Sequence, residues 1–283
     1  MLSTTWVCHN RVMKVTDKII TITGPEPGPT LAIFAGMHGN ETVGVLALEE
    51  VLPQLKLSRG TLHVAYANVP ALEQGVRMIK KNLNRCFITG NDGDTYEDER
   101  ARQLMTVLDE CDALLDLHAF NEDAGDPFII CEESAFDVAA KLEPEIISTG
   151  WAKAEPGGTD GYMHLLGKVG ICVECGPLSQ ADKYKPFAIQ TIKQLLKVYE
   201  IIDEEVRLAT NTKRIIQAYK TVRRTAKDFE LDPTLRSFQL LNEGQIIGSQ
   251  RGKEYLAQRG DYIIFPRPQA AIGGEAFILG REI

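Results

Sequence analysis

Phe34-Ala35-Gly36-Met37-His38-Gly39-Asn40-Glu41-Thr42-Val43-Gly44 reads as the end of a buried strand, a glycine-bounded turn and the start of a helix. Residues 31–36 are apolar almost throughout, the pattern of a strand covered on both faces. Gly36 and Gly39 permit the tight turn that follows. His38 and Glu41 stand three apart, a spacing that brings side chains together on the first turn of a helix. An imidazole and a carboxylate so placed suit Zn²⁺, provided a third ligand joins them and one position stays open to water. The competing reading is a solvated pair on a helix surface. Position favours the metal, because open α/β sheets bind their ligands in loops at the carboxyl ends of strands.

Outward from that stretch, strand-like runs lie at 61–68, 113–118, 127–131 and 170–175. Helical patterns lie between them at 43–52, 97–111 and 136–147. The longest helix is expected after Pro186, with Ala188, Ile192, Leu195, Tyr199 and Ile202 on one buried face. Strands alternating with helices predict an α/β layer sandwich. An early hairpin is expected over 13–23, around Asp17-Lys18. Beyond residue 210 the character changes to short strand-like runs at 238–241, 245–248, 262–265 and 276–279, separated by Gly or Pro. Residues 1–210 and 211–283 are therefore expected to form two units, the second a small β-rich module, with the polar segment 204–213 connecting them.

The 283 residues are 44% hydrophobic and 25% charged, with a net charge of −8. That balance argues against a nucleic-acid partner, which calls for a clustered basic excess. No apolar run approaches the ~20 residues that span a bilayer. Met1 to Asn10 holds Trp6, Cys8 and His9 but no basic start followed by a long apolar stretch, so no secretory signal is expected. The six scattered cysteines fit reduced thiols and a cytoplasmic location. Cys172 and Cys175 form a C-x-x-C, but on a strand positions three apart point to opposite faces, so the pair is expected to be core.

A third metal ligand should come from another strand end. His118 closes the run Ala113-Leu114-Leu115-Asp116-Leu117, and Asp116, two residues earlier, can lie on the same side to hold the imidazole. His63 sits in mid-strand, where packing or surface exposure is the simpler role, and His164, followed by Leu165-Leu166 in a glycine-flanked segment, could as easily be a substrate contact. Glu174 lies in an otherwise apolar strand, where a carboxylate is costly unless paired or functional. It reads as a general base, or else as half of a structural ion pair. The run Arg77-Met78-Ile79-Lys80-Lys81-Asn82-Leu83-Asn84-Arg85 supplies guanidinium forks that match a carboxylate, with Asn84 adding an amide; a solvated basic face is the alternative.

Together, Gly-x-His-Gly-Asn-Glu, Asn-Leu-Asn-Arg, Asp-Leu-His and Glu-Cys-Gly-Pro, in this order, resemble the succinylglutamate desuccinylase/aspartoacylase family of the zinc carboxypeptidase-like superfamily. Gly-Asp-Tyr-Ile-Ile-Phe-Pro and Gly-Gly-Glu-Ala-Phe extend the similarity to the β-rich tail. The resemblance implies a three-layer α/β/α sandwich with a mixed central sheet. It implies one Zn²⁺ held by His38, Glu41 and His118, with Glu174 activating the water and Arg77 polarising the scissile carbonyl. Asn84 and Arg85 would hold a carboxylate of a small-molecule substrate. Where family members acting on N-acetylaspartate carry a further arginine, this chain has His164, which predicts a weak preference for acidic side chains. The expected activity is hydrolysis of an N-acyl amino acid or related amide. The rival readings are a zinc carboxypeptidase for short peptides and a catalytically silent metal- or ligand-binding protein.

Overall fold

The computed structural model describes residues 4–8 and 11–283, with side chains from residue 16 onward; His9 lies outside the described residues. Strands β1 (Thr4–Cys8) and β2 (Arg11–Val15) pair antiparallel with each other. β3 (Ile20–Thr23) instead pairs antiparallel with β5 (Arg59–Tyr66). The hairpin expected around Asp17-Lys18 is thus one strand too late. The runs on both sides of that dipeptide are strands, but they find different partners.

Between them lie β4 (Glu26–Ala35), whose last five residues are buried, and helix α1 (Val43–Val51). After β5 come α2 (Val69–Gln74), α3 (Tyr96–Leu108), β6 (Ala113–Phe120) and β7 (Phe128–Cys131). The helix expected at 136–147 is a single turn, α4 (Phe136–Ala139), followed by strand β8 (Ile146–Thr149). Pro144 explains the break, since the residue before a proline is pushed out of the helical region. α5 (Trp151–Ala154), α6 (Thr159–Leu165), β9 (Val169–Pro177) and α7 (Ala181–Val198) follow. α7 begins five residues before Pro186, and Tyr199 and Ile202 fall beyond its end.

The remaining strands are β10 (Arg214–Arg223), β11 (Glu230–Leu231), β12 (Gln239–Leu240), β13 (Ile246–Gln250), β14 (Lys253–Leu256), β15 (Asp261–Ile264) and β16 (Glu275–Glu282). The main sheet has eleven strands in the order β12-β15-β16-β10-β8-β7-β9-β6-β4-β5-β3, and β11-β13-β14 form a separate antiparallel sheet. The main sheet is mixed: β5, β4, β6 and β9 run parallel, and β7 lies antiparallel to β9. β10 joins it parallel to β8 and carries β16 on its other edge.

Helices cover both faces. Val45, Leu48, Ile192 and Leu195 of α1 and α7 pack into one core with Leu31, Ile33 and Leu115 of the sheet. Ala101, Leu104 and Leu108 of α3 and Met163 of α6 pack into a second with Ala32, Phe34 and Leu114. Alternate residues of each strand feed opposite cores, as the period of two requires. Cys172 and Cys175 obey the same rule, lying in different clusters. The C-terminal segment has a core of its own around Leu231, Ile247, Ile263 and Phe277. Because β4, β6 and β9 are parallel neighbours, their carboxyl ends open onto one edge of the sheet.

Candidate active site

At that edge β4 ends at Ala35 and the chain turns at Gly36, whose φ of +69° is one that other residues rarely adopt. Gly39 faces α2 so closely that a Cβ there would stand 2.0 Å from the Ala71 carbonyl carbon. The Glu41 N–H donates to the His38 carbonyl (3.0 Å), and α1 starts only at Val43. His38 and Glu41 are therefore brought together by a tight turn ahead of the helix, not by its first turn. His118 comes from β6, where it and Asp116 share a face, and Glu174 lies directly opposite His118 on β9.

One donor atom from each of His38, Glu41 and His118 lies within 4.8 Å of the others, and all three residues are buried. His38 Nδ1 is 2.7 Å from Glu41 Oε1, and His118 Nδ1 is 3.0 Å from Glu41 Oε2. Arg77 Nη1 donates to Glu41 Oε1 (2.8 Å) and the Ala119 N–H to Oε2 (3.0 Å). Burial works against the Glu41 charge, but His38 and His118 outweigh it and hold the carboxyl well below its ordinary pKa.

The outer partners test whether this set fits a cation. Asn82 Oδ1 accepts the Asn84 N–H (2.9 Å), which identifies it as the oxygen, and that oxygen lies 2.9 Å from His38 Nε2. His38 Nε2 must then carry the proton. In the neutral ring, Nδ1 faces the Glu41 oxygen with a bare lone pair, an arrangement that needs either a second proton or a cation. Burial, the largest influence on His38, lowers its pKa and disfavours the second proton. The donor set therefore fits a divalent cation. Asp116 Oδ2, which accepts from Thr159 Oγ1 (2.8 Å), lies 3.1 Å from His118 Nε2. Burial opposes the His118 charge, but Asp116 prevails and raises its pKa well above the ordinary value. A carboxylate behind a ligand imidazole fixes its tautomer and raises its basicity. Asp116→Asn is accordingly expected to weaken metal binding by roughly 10–100-fold, read by titration against a competing chelator.

Asp116, His118 and Cys172 make a second convergent group. Burial, then Asp160, pushes the Cys172 thiol up to about 12. A thiol is a poor ligand until it loses its proton, so the first group is the better cation site.

Glu174 is buried, and its Oε2 has no hydrogen-bond partner among the described residues. Burial first and the Glu41 charge second raise its pKa to about 8. Glu97, buried in the first turn of α3, accepts the Ile79 and Lys80 N–H groups (2.8 and 3.1 Å) and so anchors the loop that carries Arg77. A small cleft beside the donors is lined by Arg77, Asn84, Arg85, Asp160, Glu174 and Glu275.

The carboxylate-binding pair departs from expectation in its surroundings. Asn84 Oδ1 accepts the Thr159 N–H (3.1 Å). Arg85 lies in the cleft but is committed to the chain: Nη1 to the Asn84 carbonyl (2.6 Å), Nε to Glu155 (3.4 Å) and Nη2 to Glu275 (3.1 Å). His164 is not in the cleft. Its Nδ1 meets Ser134 Oγ (3.0 Å) on the surface. It shares a stripe of α6 with Asp160 but stands one turn farther out, about 6 Å along the axis. Asp160 is the residue of that helix that lines the cleft. Asn82, Glu155, Asp160 and Glu275 were not singled out from the sequence. Asn82 lies inside the Asn-Leu-Asn-Arg motif and Glu275 inside Gly-Gly-Glu-Ala-Phe, but nothing in either stretch tells that Glu275 meets Arg85, 190 residues away.

Comparison with known proteins identifies the family and the fold. Residues 27–202 match the succinylglutamate desuccinylase/aspartoacylase catalytic domain. A probable aspartoacylase of Nostoc sp. is 30% identical over 190 residues, covering 61% of this chain and 63% of that protein, just under two-thirds of its length. A succinylglutamate desuccinylase of Pseudoalteromonas atlantica is 23% identical, covering 95% of this chain and 86% of the relative. The crystal structure of a succinylglutamate desuccinylase from Vibrio cholerae superimposes with a TM-score of 0.79 at 17% identity, covering 100% of this chain and 91% of that one.

Proposed function

The chain belongs to the succinylglutamate desuccinylase/aspartoacylase family, and on that premise we propose that it is a zinc-dependent amidohydrolase cleaving an N-acyl amino acid or related small amide. The observation that carries this reading is the buried convergence of His38, Glu41 and His118 beside Glu174, a carboxyl that burial pushes up to about 8 and whose Oε2 has no partner among the described residues. Two histidines, a carboxylate and an open position form a catalytic zinc ligand set. Held by these three residues, Zn²⁺ would supply Lewis acidity to the scissile carbonyl and to the attacking water.

The chain's own residues do the rest. Glu174 takes a proton from the attacking water and returns it to the departing amine, a task for which a pKa near the working pH is suited. Arg77, tied to Glu41 by one nitrogen, has further N–H groups to donate to the developing oxyanion. Such a contact is typically worth ~2.7–4 kcal/mol in the barrier. Asn84 and Arg85 form the wall nearest the substrate carboxylate, which reaches Arg85 by competing with Glu155 and Glu275. Residues 1–210 supply the metal donors and the base, while 211–283 bring Arg267 and Glu275 to the mouth of the cleft. Five buried cysteines without disulfides fit a reducing, cytoplasmic setting. Among the described residues no helix is long and apolar enough to cross a membrane.

The test is a panel of N-acyl amino acids and short peptides offered to the zinc-loaded protein, with acid and amine products counted. Equimolar release of both products from acyl amino acids supports the reading. Cleavage confined to peptides would favour the carboxypeptidase reading, and bound zinc with no turnover on the whole panel would favour the silent one.

A further inference from the structure

Away from the metal donors, almost every charge in the cleft is already spoken for. Glu155 Oε1 accepts from Arg223 Nη2 (2.5 Å) and Oε2 from Arg85. Glu275 Oε1 accepts from Arg85 and Oε2 from Arg267 Nη1 (3.0 Å). These contacts join Arg223, Glu155, Arg85, Glu275 and Arg267 in one chain of ion pairs. Asp160 stands outside it. The residue is 5% exposed and lines the cleft, and its Oδ2 has no partner among the described residues. The Gly161 and Asp160 N–H groups at the start of α6 favour its charge, its other oxygen meets the weak donor Cys172 Sγ at 3.8 Å, and Cys172 in turn lies against His118. One side chain, Cys172, therefore separates the Asp160 carboxylate from His118.

A buried carboxylate with an unused oxygen is costly unless a ligand completes it. An acidic substrate side chain would meet Asp160 head-on, and Arg85 and Arg267 are already paired with Glu155 and Glu275. A cation would find the free oxygen, and beside it the rings of Trp151 and Phe265, which line the same cleft and pack edge to face at 5.7 Å. Aromatic faces attract a cation that has left water. We propose that this cleft selects N-acyl amino acids whose side chain ends in an ammonium group, and that Asp160 is the specificity-determining residue that receives it. The proposal rests on the amidohydrolase reading for its chemistry, but the subsite itself is testable without turnover. Burial and the Glu132 charge raise the Asp160 pKa to about 6, a cost that an ammonium partner relieves.

Binding of the free amino acids L-ornithine, L-norvaline and L-aspartate to the zinc-loaded, full-length protein should be measured by calorimetry, alongside hydrolysis of their Nα-acetyl derivatives. Ornithine is expected to bind about tenfold or more tighter than either competitor, the share of one hydrogen bond to a charged group. Asp160→Asn, which keeps the shape and removes the charge, should collapse the ornithine-to-norvaline ratio by a similar factor, seen in KM more than in kcat. Tighter binding of aspartate, equal binding of norvaline, or an unchanged ratio in D160N would overturn the proposal. Should D160N fail to fold, the three wild-type affinities decide it. Ornithine preference without hydrolysis of any derivative would uphold the subsite while refuting the amidohydrolase reading. Hydrolysis that favours acidic or neutral side chains would do the reverse.

Discussion

Glu174→Gln is expected to lower kcat by roughly 10²–10⁴-fold, the usual worth of a positioned general base, while bound zinc remains. Glutamine fills the same space on β9 but cannot take a proton from water. Its metal content should match the wild type because Glu174 is not among the three convergent donors. The unpaired Oε2 makes the substitution mild for the fold, since no hydrogen bond to that atom is lost. A variant that retained near-normal kcat would remove Glu174 from the mechanism. Metal lost along with activity would instead make it a ligand.

His38→Ala should have the larger effect, removing bound zinc and bringing turnover below detection. The substitution deletes one of three donors and leaves the Glu41 carboxylate, held ionised by its two histidines, with a poorer set of partners. Two remaining donors do not make the four-coordinate environment in which zinc is held. Metal analysis after gel filtration reads the first effect, and a product assay the second. Because β4 and β6 bury their flanking residues independently of His38, the variant should still fold, with a far-ultraviolet spectrum like that of the wild type. Zinc bound at wild-type stoichiometry in this variant would refute the ligand assignment.

The strands that build the site were legible because each is buried on both faces and reads as an unbroken apolar run, as in residues 31–36 and 113–118. Polar residues at the ends of such runs, His118 and Glu174, then stand out against their surroundings. Parallel neighbours bring those ends to one edge, so a local signal becomes a cluster in space. What escaped the reading depended on distant partners. β8 is a short strand just after Pro144, and its pairing with β7 and β10 comes from opposite directions in the chain. Met13 to Thr23 alternates correctly, but nothing in it says that β2 pairs with β1 while β3 crosses to β5. Setting His164 where family members carry a further arginine fixes a position along the chain, but not which turn of α6 reaches the cleft. The hold of Glu155 and Glu275 on Arg85 joins residues 70 and 190 positions apart.

The proposed amide hydrolysis requires a metal at His38, Glu41 and His118. The most direct measurement is to strip the protein with a chelator and titrate zinc back while following both heat and product release from an N-acyl amino acid. The expected result is one tight site per chain, with activity absent at the start and rising in proportion to occupancy until it levels at one equivalent. Full activity in the stripped protein, or saturation of the site with no activity on any acyl amino acid, would contradict it.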